Sequence, residues 1–290
     1  MVPSTPGGGT DILTRLISPG LGELLGAQLI LDNRAGAGGV VGANIAAKSS
    51  PDGYTLLMAT GGILTVLPII TPDVPYSTKH DFSPITRVAA TPNVLLVPLS
   101  SPAKSVGELI ALAQAKPGAL NYASTGPGTG SHLAGELFKF LARITIVQIP
   151  YQGSPQVLAD LIGGRVDLFF NNALSAMPQV RSGRLRALAV TSPIRLPTAS
   201  EVPTVAESGL TGLEVETWYG LLAPAGTPRT IITRLHAAVV KVIRLPEVQE
   251  RLAAEGARPI GHTPEQFNAF ITSESTKWAK VLAGTGIRAN

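Results

Sequence analysis

Apolar residues along this chain switch repeatedly between helical and strand spacing. Ile12, Leu13, Leu16 and Ile17 share one helical face behind Thr10, which the pattern makes an N-cap. Pro19-Gly20 is expected to interrupt this helix before Leu21, Leu24 and Leu25 resume it. Residues 28–31 read as a strand, and a helix runs from the glycine-rich stretch at 35–42 through Lys48. After the turn Pro51-Asp-Gly53 comes a buried strand at 54–59. Further strands are expected at 93–97, 121–125, 145–150, 166–170, 185–191 and 216–222. Helices are expected at 105–116 behind the capping box Ser105/Glu108, from Ser131 to 142, and at 155–162 and 174–182. The tail is helical at 229–244, 246–255 and 264–283, the last behind the capping box Thr263/Gln266 with Pro264 at the first helical position.

Strands alternating with helices predict an α/β fold with largely parallel sheets. The strands at 93–97 and 216–222 bracket a self-contained set of βα units, so a discontinuous two-lobe body is expected. Residues 1–98 plus 223–290 form one lobe and 99–222 the other. The two strands are the crossovers, and the tail helices return to the first lobe.

Glycine-rich loops at strand ends point to where chemistry could lie. In Asn121-Tyr-Ala-Ser-Thr-Gly-Pro-Gly-Thr-Gly-Ser-His132, Gly126, Gly128 and Gly130 allow a tight turn, and Ser131 is the expected N-cap. Such a loop directs free N–H groups and the positive end of a helix dipole at one spot, which suits an anion. Thr125, Thr129 and Ser131 add hydroxyls. A plain strand-to-helix turn has the same pattern. The functional reading gains from a second such loop, Pro3-Ser-Thr-Pro-Gly-Gly-Gly-Thr-Asp11, and a third at Thr60-Gly61-Gly62.

Composition narrows the chemistry. With 44% hydrophobic and only 14% charged residues, the 290-residue chain reads as globular and loop-rich. Its net charge is +4, and the 23 Lys and Arg are scattered without interleaved aromatics, which argues against nucleic acid. The absence of Cys excludes thiol nucleophiles, thiolate metal sites and disulfides. No apolar run approaches the ~20 residues of a membrane helix. The first glycine loop stands at the very start, where an α/β unit calls for a strand. The expectation is that the sequence begins inside that strand, with upstream sequence or a removed leader before it.

Gly36-x-Gly38-x-x-x-Gly42 lacks dinucleotide spacing, and no Gly-Lys-Ser/Thr or Gly-x-Ser-x-Gly occurs. His80, His132, His236 and His262 lie far apart, with no metal-ligand spacing. Of these, only His132 is in a ligand-facing loop, where packing or a local hydrogen bond is as good a reading as ligand contact. Asp11 reads as a helix-dipole partner, and no pair of carboxylates stands out. Many backbone donors without an evident acid, base or nucleophile point to binding without catalysis. No cofactor or metal is implied.

Several stretches resemble, in order, the substrate-binding proteins of tripartite tricarboxylate transporters, the Bug family. They are Val2-Pro-Ser-Thr-Pro-Gly-Gly-Gly-Thr-Asp11, Asp32-Asn-Arg-Ala-Gly-Ala-Gly-Gly39, Pro51-Asp-Gly-Tyr-Thr-Leu56, Leu120-Asn-Tyr-Ala-Ser124, Ser131-His-Leu-Ala-Gly-Glu136, Pro150-Tyr-Gln-Gly153, Leu185-Arg-Ala-Leu-Ala-Val190, Val202-Pro-Thr-Val-Ala-Glu207 and Gly220-Leu-Leu-Ala-Pro-Ala-Gly-Thr-Pro228. The resemblance implies a two-lobe periplasmic-binding-protein fold of type II, with a ligand cleft between lobes. It implies a periplasmic, monomeric solute receptor that binds a small carboxylate (a di- or tricarboxylate, an acidic amino acid or an aromatic carboxylate) and delivers it to membrane permease subunits. By the same resemblance, Ser4, Gly8, Thr10, Asp11 (through its amide), Thr60 and Gly61 contact the ligand from the first lobe. Thr125, Gly128, Thr129, Ser131 and His132 do so from the second, with Tyr151 and Asn171 at rim or floor. The chain departs from the family at Ser4, where an aromatic is usual, at Asn171, where Asp is usual, and at Pro19-Gly20. A ligand sensor of a signalling system, or an enzyme on a two-lobe α/β fold, are the alternatives.

Overall fold

The computed structural model describes residues 1–288. Its helices follow from amphipathic stripes. Helix α1 (Gly9–Leu25) buries Leu13, Ile17 and Leu21 against Ile232, Leu235, Val239 and Val242 of α8 (Arg229–Ile243). Contrary to expectation, α1 runs unbroken through Pro19. Pro19 and Arg15, whose carbonyl loses its helical partner to the proline, both lie on the exposed face, where solvent can reach the freed carbonyl. A Cβ on Gly20 would lie 3.4 Å from both Val242 methyls, so the Pro-Gly pair sits where α1 approaches α8.

The N-caps also shifted. Gly8, without a side-chain cap, precedes α1, and Thr10 lies in its first turn. Thr129 caps α5 (Gly130–Ala142), so Ser131 is its second residue. Helices α2 (Val40–Ala47), α3 (Leu67–Ile70), α4 (Val106–Ala115), α6 (Ser154–Ile162), α7 (Ala173–Arg181), α9 (Pro246–Ala254) and α10 (Pro264–Thr285) complete the set among the described residues. The capping box at Thr263/Gln266 is present.

The strands are β1 (Leu57–Thr60), β2 (Phe82–Pro98), β3 (Asn121–Ser124), β4 (Val147–Pro150), β5 (Leu168–Asn172), β6 (Leu185–Val190), β7 (Glu216–Pro224) and β8 (Arg258–Pro259). Their order is β1-β7-β2-β5-β3-β4, with β6 and β8 also paired to β2. The expected strand at 93–97 is the end of β2, which is 17 residues long. Its first part pairs with β7 and β8 as far as Pro92, and its second, from Asn93, pairs with β5 and β6. Pro84 and Pro92 hid the first part. Both lack a ladder donor, and the strand accommodates Pro84 beside a register shift.

The expected strand at 28–31 does not form. This stretch leads to a single bridge between Val2 and Asn33, and Ile30 stands 85% exposed. The sheets are also not largely parallel. Only β3–β4 and β3–β5 are parallel among the named strand pairs: the central β2 runs against all four of its neighbours, and β1 runs against β7.

Apolar clusters cover the faces of these sheets. One gathers α1 and α8 against β2 and β7. Another gathers α5 against β2, β3 and β5, with Tyr122, Phe138 and Phe170 fully buried. Helix α10 serves both ends. Phe267 and Ile271 pack with Trp218, while Trp278 and Leu282 join the cluster around α5.

Candidate functional site

The site is assembled from helix beginnings. Helices α1, α2 and α6 start behind Gly8, Gly39 and Gly153, none of which supplies a side-chain cap. Apart from the Val40 N–H, which bonds the Ala37 carbonyl, and Pro155, which has none, their first-turn N–H groups have neither an intrahelical acceptor nor a side chain to satisfy them. Helix α5 starts behind Thr129 and α7 behind Asn172, whose side-chain oxygens accept from the His132 and Ser175 N–H groups. All five N-cap residues line one cavity of about 470 Å³. Each helix start there brings partial positive charge. Among the described residues no Lys or Arg lines the cavity. Its single charged lining residue, Glu216, is held by Arg87 at 2.9 Å and Arg258 at 2.7 Å. The cavity is thus an anion cradle made of backbone and neutral side chains.

Ser4, Gly8, Thr10, Thr60, Gly61, Thr125, Gly128, Thr129, Ser131, Tyr151 and Asn171 all line this cavity. Asp11 and His132 stand behind it. The Asp11 carboxylate accepts from the Gly7 N–H and the Arg15 Nε at 2.9 Å each, and from the Asn33 side chain at 3.0 Å. Burial pushes this carboxyl up, but the hydrogen bonds from Arg15, Gly7 and Asn33 outweigh it and hold it below the usual aspartate value. His132 is fully buried, and its Nδ1 accepts from the Gly128 N–H at 3.3 Å. Burial lowers its pKa, so the ring is neutral and braces the loop from behind.

The loop hydroxyls are largely engaged with each other. Thr129 Oγ1 donates to the Gly126 carbonyl at 2.7 Å, and the Ser131 hydroxyl lies 3.0 Å from it. Ser131 Oγ also accepts from the Thr125 N–H at 3.0 Å and contacts Thr125 Oγ1 at 3.1 Å. Sequence reading missed Asn93, Asn172, Thr217 and the 35–39 loop as lining residues. Asn93 and Thr217 sit within strands that carry no loop signal, and only the strand pairing brings them to the cavity.

Across the mouth of the cavity the two sides touch. A Cβ on Gly62 would land on the Gly128 carbonyl, and one on Gly38 (φ +67°) on the Pro127 carbonyl. The Thr5 side chain fills the space where a Gly153 side chain would go. The first two are backbone-to-backbone contacts that only glycine allows, and the third sets a side chain against a glycine backbone.

Comparison with known proteins agrees with this geometry. The family described as "Tripartite tricarboxylate transporter family receptor" matches residues 13–287. The chain belongs to this family. A UPF0065 protein from the tcbD-tcbE intergenic region of Pseudomonas sp. (strain P51) is 40% identical to it, over 100% of this chain and 86% of that protein. Protein BugT of Bordetella pertussis is 37% identical over 99% of this chain and 89% of its own length. Among solved structures, Rpa4515 of R. palustris with adipate superposes with a TM-score of 0.96 at 37% identity, covering 99% of this chain and 96% of that one. MatC from Rhodopseudomonas palustris with bound malate gives 0.92 at 31% identity, covering 97% of each. The fold is the two-lobe periplasmic-binding-protein fold of this transporter receptor family, with its cleft between the lobes. No helix among the described residues is long and apolar enough to cross a membrane.

Proposed function

We propose that this chain is a periplasmic, non-catalytic solute receptor that binds a small carboxylate in the cavity and hands it to the permease subunits of a tripartite tricarboxylate transporter. The observation that carries this reading is the convergence of five helix N-caps on a cavity without a single basic side chain. One helix start is worth about 0.3–1 kcal/mol to an anion, and up to about 2 kcal/mol when partly buried. Several acting together, with charge-assisted N–H bonds, hold a carboxylate without a salt bridge. Adipate and malate in the related structures are carboxylates of this kind.

The lobes in this proposal are 1–98 with 223–290, and 99–222. The change of partners within β2 at Pro92–Asn93 supports a hinge there. Ser4, Gly8, Thr10, Thr60 and Gly61 grip the ligand from the first lobe, with Asp11 holding the loop. Thr125, Gly128, Thr129, Ser131, Tyr151 and Asn171 do so from the second, with His132 holding the loop. A thermal-shift series with C3–C8 mono-, di- and tricarboxylates tests the proposal. A ligand at a hundredfold excess over its Kd adds about 2.7 kcal/mol to folding stability. A clear shift with carboxylates and none with their amides or esters is expected. Equal shifts with the uncharged amides would overturn it.

A further inference from the structure

The orientation of one cavity amide is set from the backbone outward. The Ser175 N–H can only donate, so the Asn172 atom facing it at 3.3 Å is the carbonyl oxygen. Asn172 then turns its NH2 towards Asn171, whose Oδ1 accepts it at 3.3 Å. The Ser154 hydroxyl donates to that same oxygen at 3.1 Å. The acceptor of Asn171 is used twice, while its NH2 is left buried and without a partner. Asn171 is 2% exposed and lines the cavity. Between these two amides, both oxygens already accept hydrogen bonds, and the Asn171 NH2 is the one donor without a partner.

The charges point the same way. A ligand ammonium needs an acceptor, best a free carboxylate. Glu216 is the cavity's acid, and its two oxygens are taken by Arg87 and Arg258. Asp11 has three donors of its own and stands outside the cavity lining. The helix starts around the cavity repel a cation as they attract an anion.

We infer that the cavity selects carboxylic diacids that lack an amino group over the matching amino acids, and that the Asn171 amide sets this choice. The inference rests on the carboxylate-receptor reading and narrows its ligand class. An oxygen of a diacid or hydroxy diacid takes the spare Asn171 donor. An α-ammonium in its place meets a donor and positive helix ends.

Calorimetric titration at neutral pH with three matched pairs tests this: succinate and aspartate, glutarate and glutamate, adipate and 2-aminoadipate. At least one diacid is expected to bind ten or more times more tightly than its amino partner. The Asn171→Asp variant keeps an acceptor for Ser154 and Asn172 and so retains the local bonds. It is expected to bind diacids at least tenfold more weakly and to narrow the ratio within each pair. A ratio below tenfold in every pair that binds overturns the inference, using the unaltered protein alone. A large ratio that Asn171→Asp leaves unchanged, with melting temperature preserved, overturns the role of Asn171. If none of the six compounds binds, the inference is overturned, while the carboxylate-receptor reading is judged separately by the thermal-shift series.

Discussion

The two glycine-rich loops that face each other across the cleft are alike in composition and opposite in construction. Loop 3–10 has little internal bracing beyond one turn, in which the Gly8 N–H donates to the Thr5 carbonyl at 3.1 Å. Ser4 makes one long hydroxyl contact at 3.4 Å, Thr5 Oγ1 is unpartnered, and Gly8 leaves α1 uncapped. It is held from outside, by Asp11 reaching back to Gly7 and by Asn33 donating to the Ser4 carbonyl at 3.1 Å. Loop 125–131 is braced from within. Thr125, Thr129 and Ser131 form a closed hydroxyl network, and His132 pins Gly128. The first loop thus offers bare N–H groups to a ligand, while the second offers a preset shape. Preorganising one wall lowers the ordering cost of binding, and leaving donors free on the other retains the attraction.

The contrast can be broken at the seam first. Gly62→Ala places a methyl on the Gly128 carbonyl, where backbone cannot yield, so the two walls no longer meet. Carboxylate affinity should drop at least a hundredfold, about 2.7 kcal/mol, with little change in melting temperature without ligand. Calorimetry with a binding carboxylate checks this, and scattering should show a variant that does not compact on ligand addition. Retained affinity would mean that closure does not use this contact.

Ser131→Ala attacks the braced loop. It leaves the Thr125 N–H without its partner, which costs about 1–3 kcal/mol of stability. Both urea midpoint and affinity should fall, because shape and binding are one property in this loop. Gly8→Ala attacks the unbraced loop. The new methyl lies 3.2 Å from the Thr5 carbonyl oxygen, a contact that a shift of a few tenths of an ångström relieves. Affinity should fall roughly tenfold, about 1.4 kcal/mol, with less loss of stability than Ser131→Ala. Equal stability losses in the two variants would erase the distinction between the loops.

The smallest effect is titration. His132 is neutral and buried in the fold, with a lowered pKa, whereas in the unfolded chain it takes a proton near pH 6.5. Its contribution to stability is complete above that value and is lost as pH falls towards the folded pKa. His262 is lowered by burial and by Arg87 and Arg258, so it adds a loss of the same sign. Melting temperature should fall between pH 7 and pH 5, and His132→Gln should flatten part of the slope. A slope that His132→Gln leaves unchanged would assign the whole effect to other groups.

Much of this was legible because glycine loops and helical stripes are local. The α5 unit, the tail helices and the loops at 3–10, 60–62 and 125–131 could be read from short windows. What was hidden depends on distant chain. Pro84 and Pro92 made half of β2 look like loop, although β7 gives them a place. Asn93 faces the cavity only because its strand pairs with β5, where Asn172 sits opposite. Asp11 and His132 were found in the right loops. Their direction, away from the cavity, depends on Asn33, Arg15 and Gly128, which no spacing rule couples to them.

The sharing of β2 between the two sheets has a consequence for dissection of the molecule. β5 and β6 both take their hydrogen bonds from residues 93–98, at the end of a strand that begins at Phe82. A fragment cut out as 99–222 would therefore lose the strand between its neighbours and carry two raw edges in place of one sheet. Such edges recruit other chains. Expressed alone, that half should aggregate. A fragment that kept residues 82–98 would retain the spine of its sheet, so the smallest separable piece of this receptor overlaps its own partner.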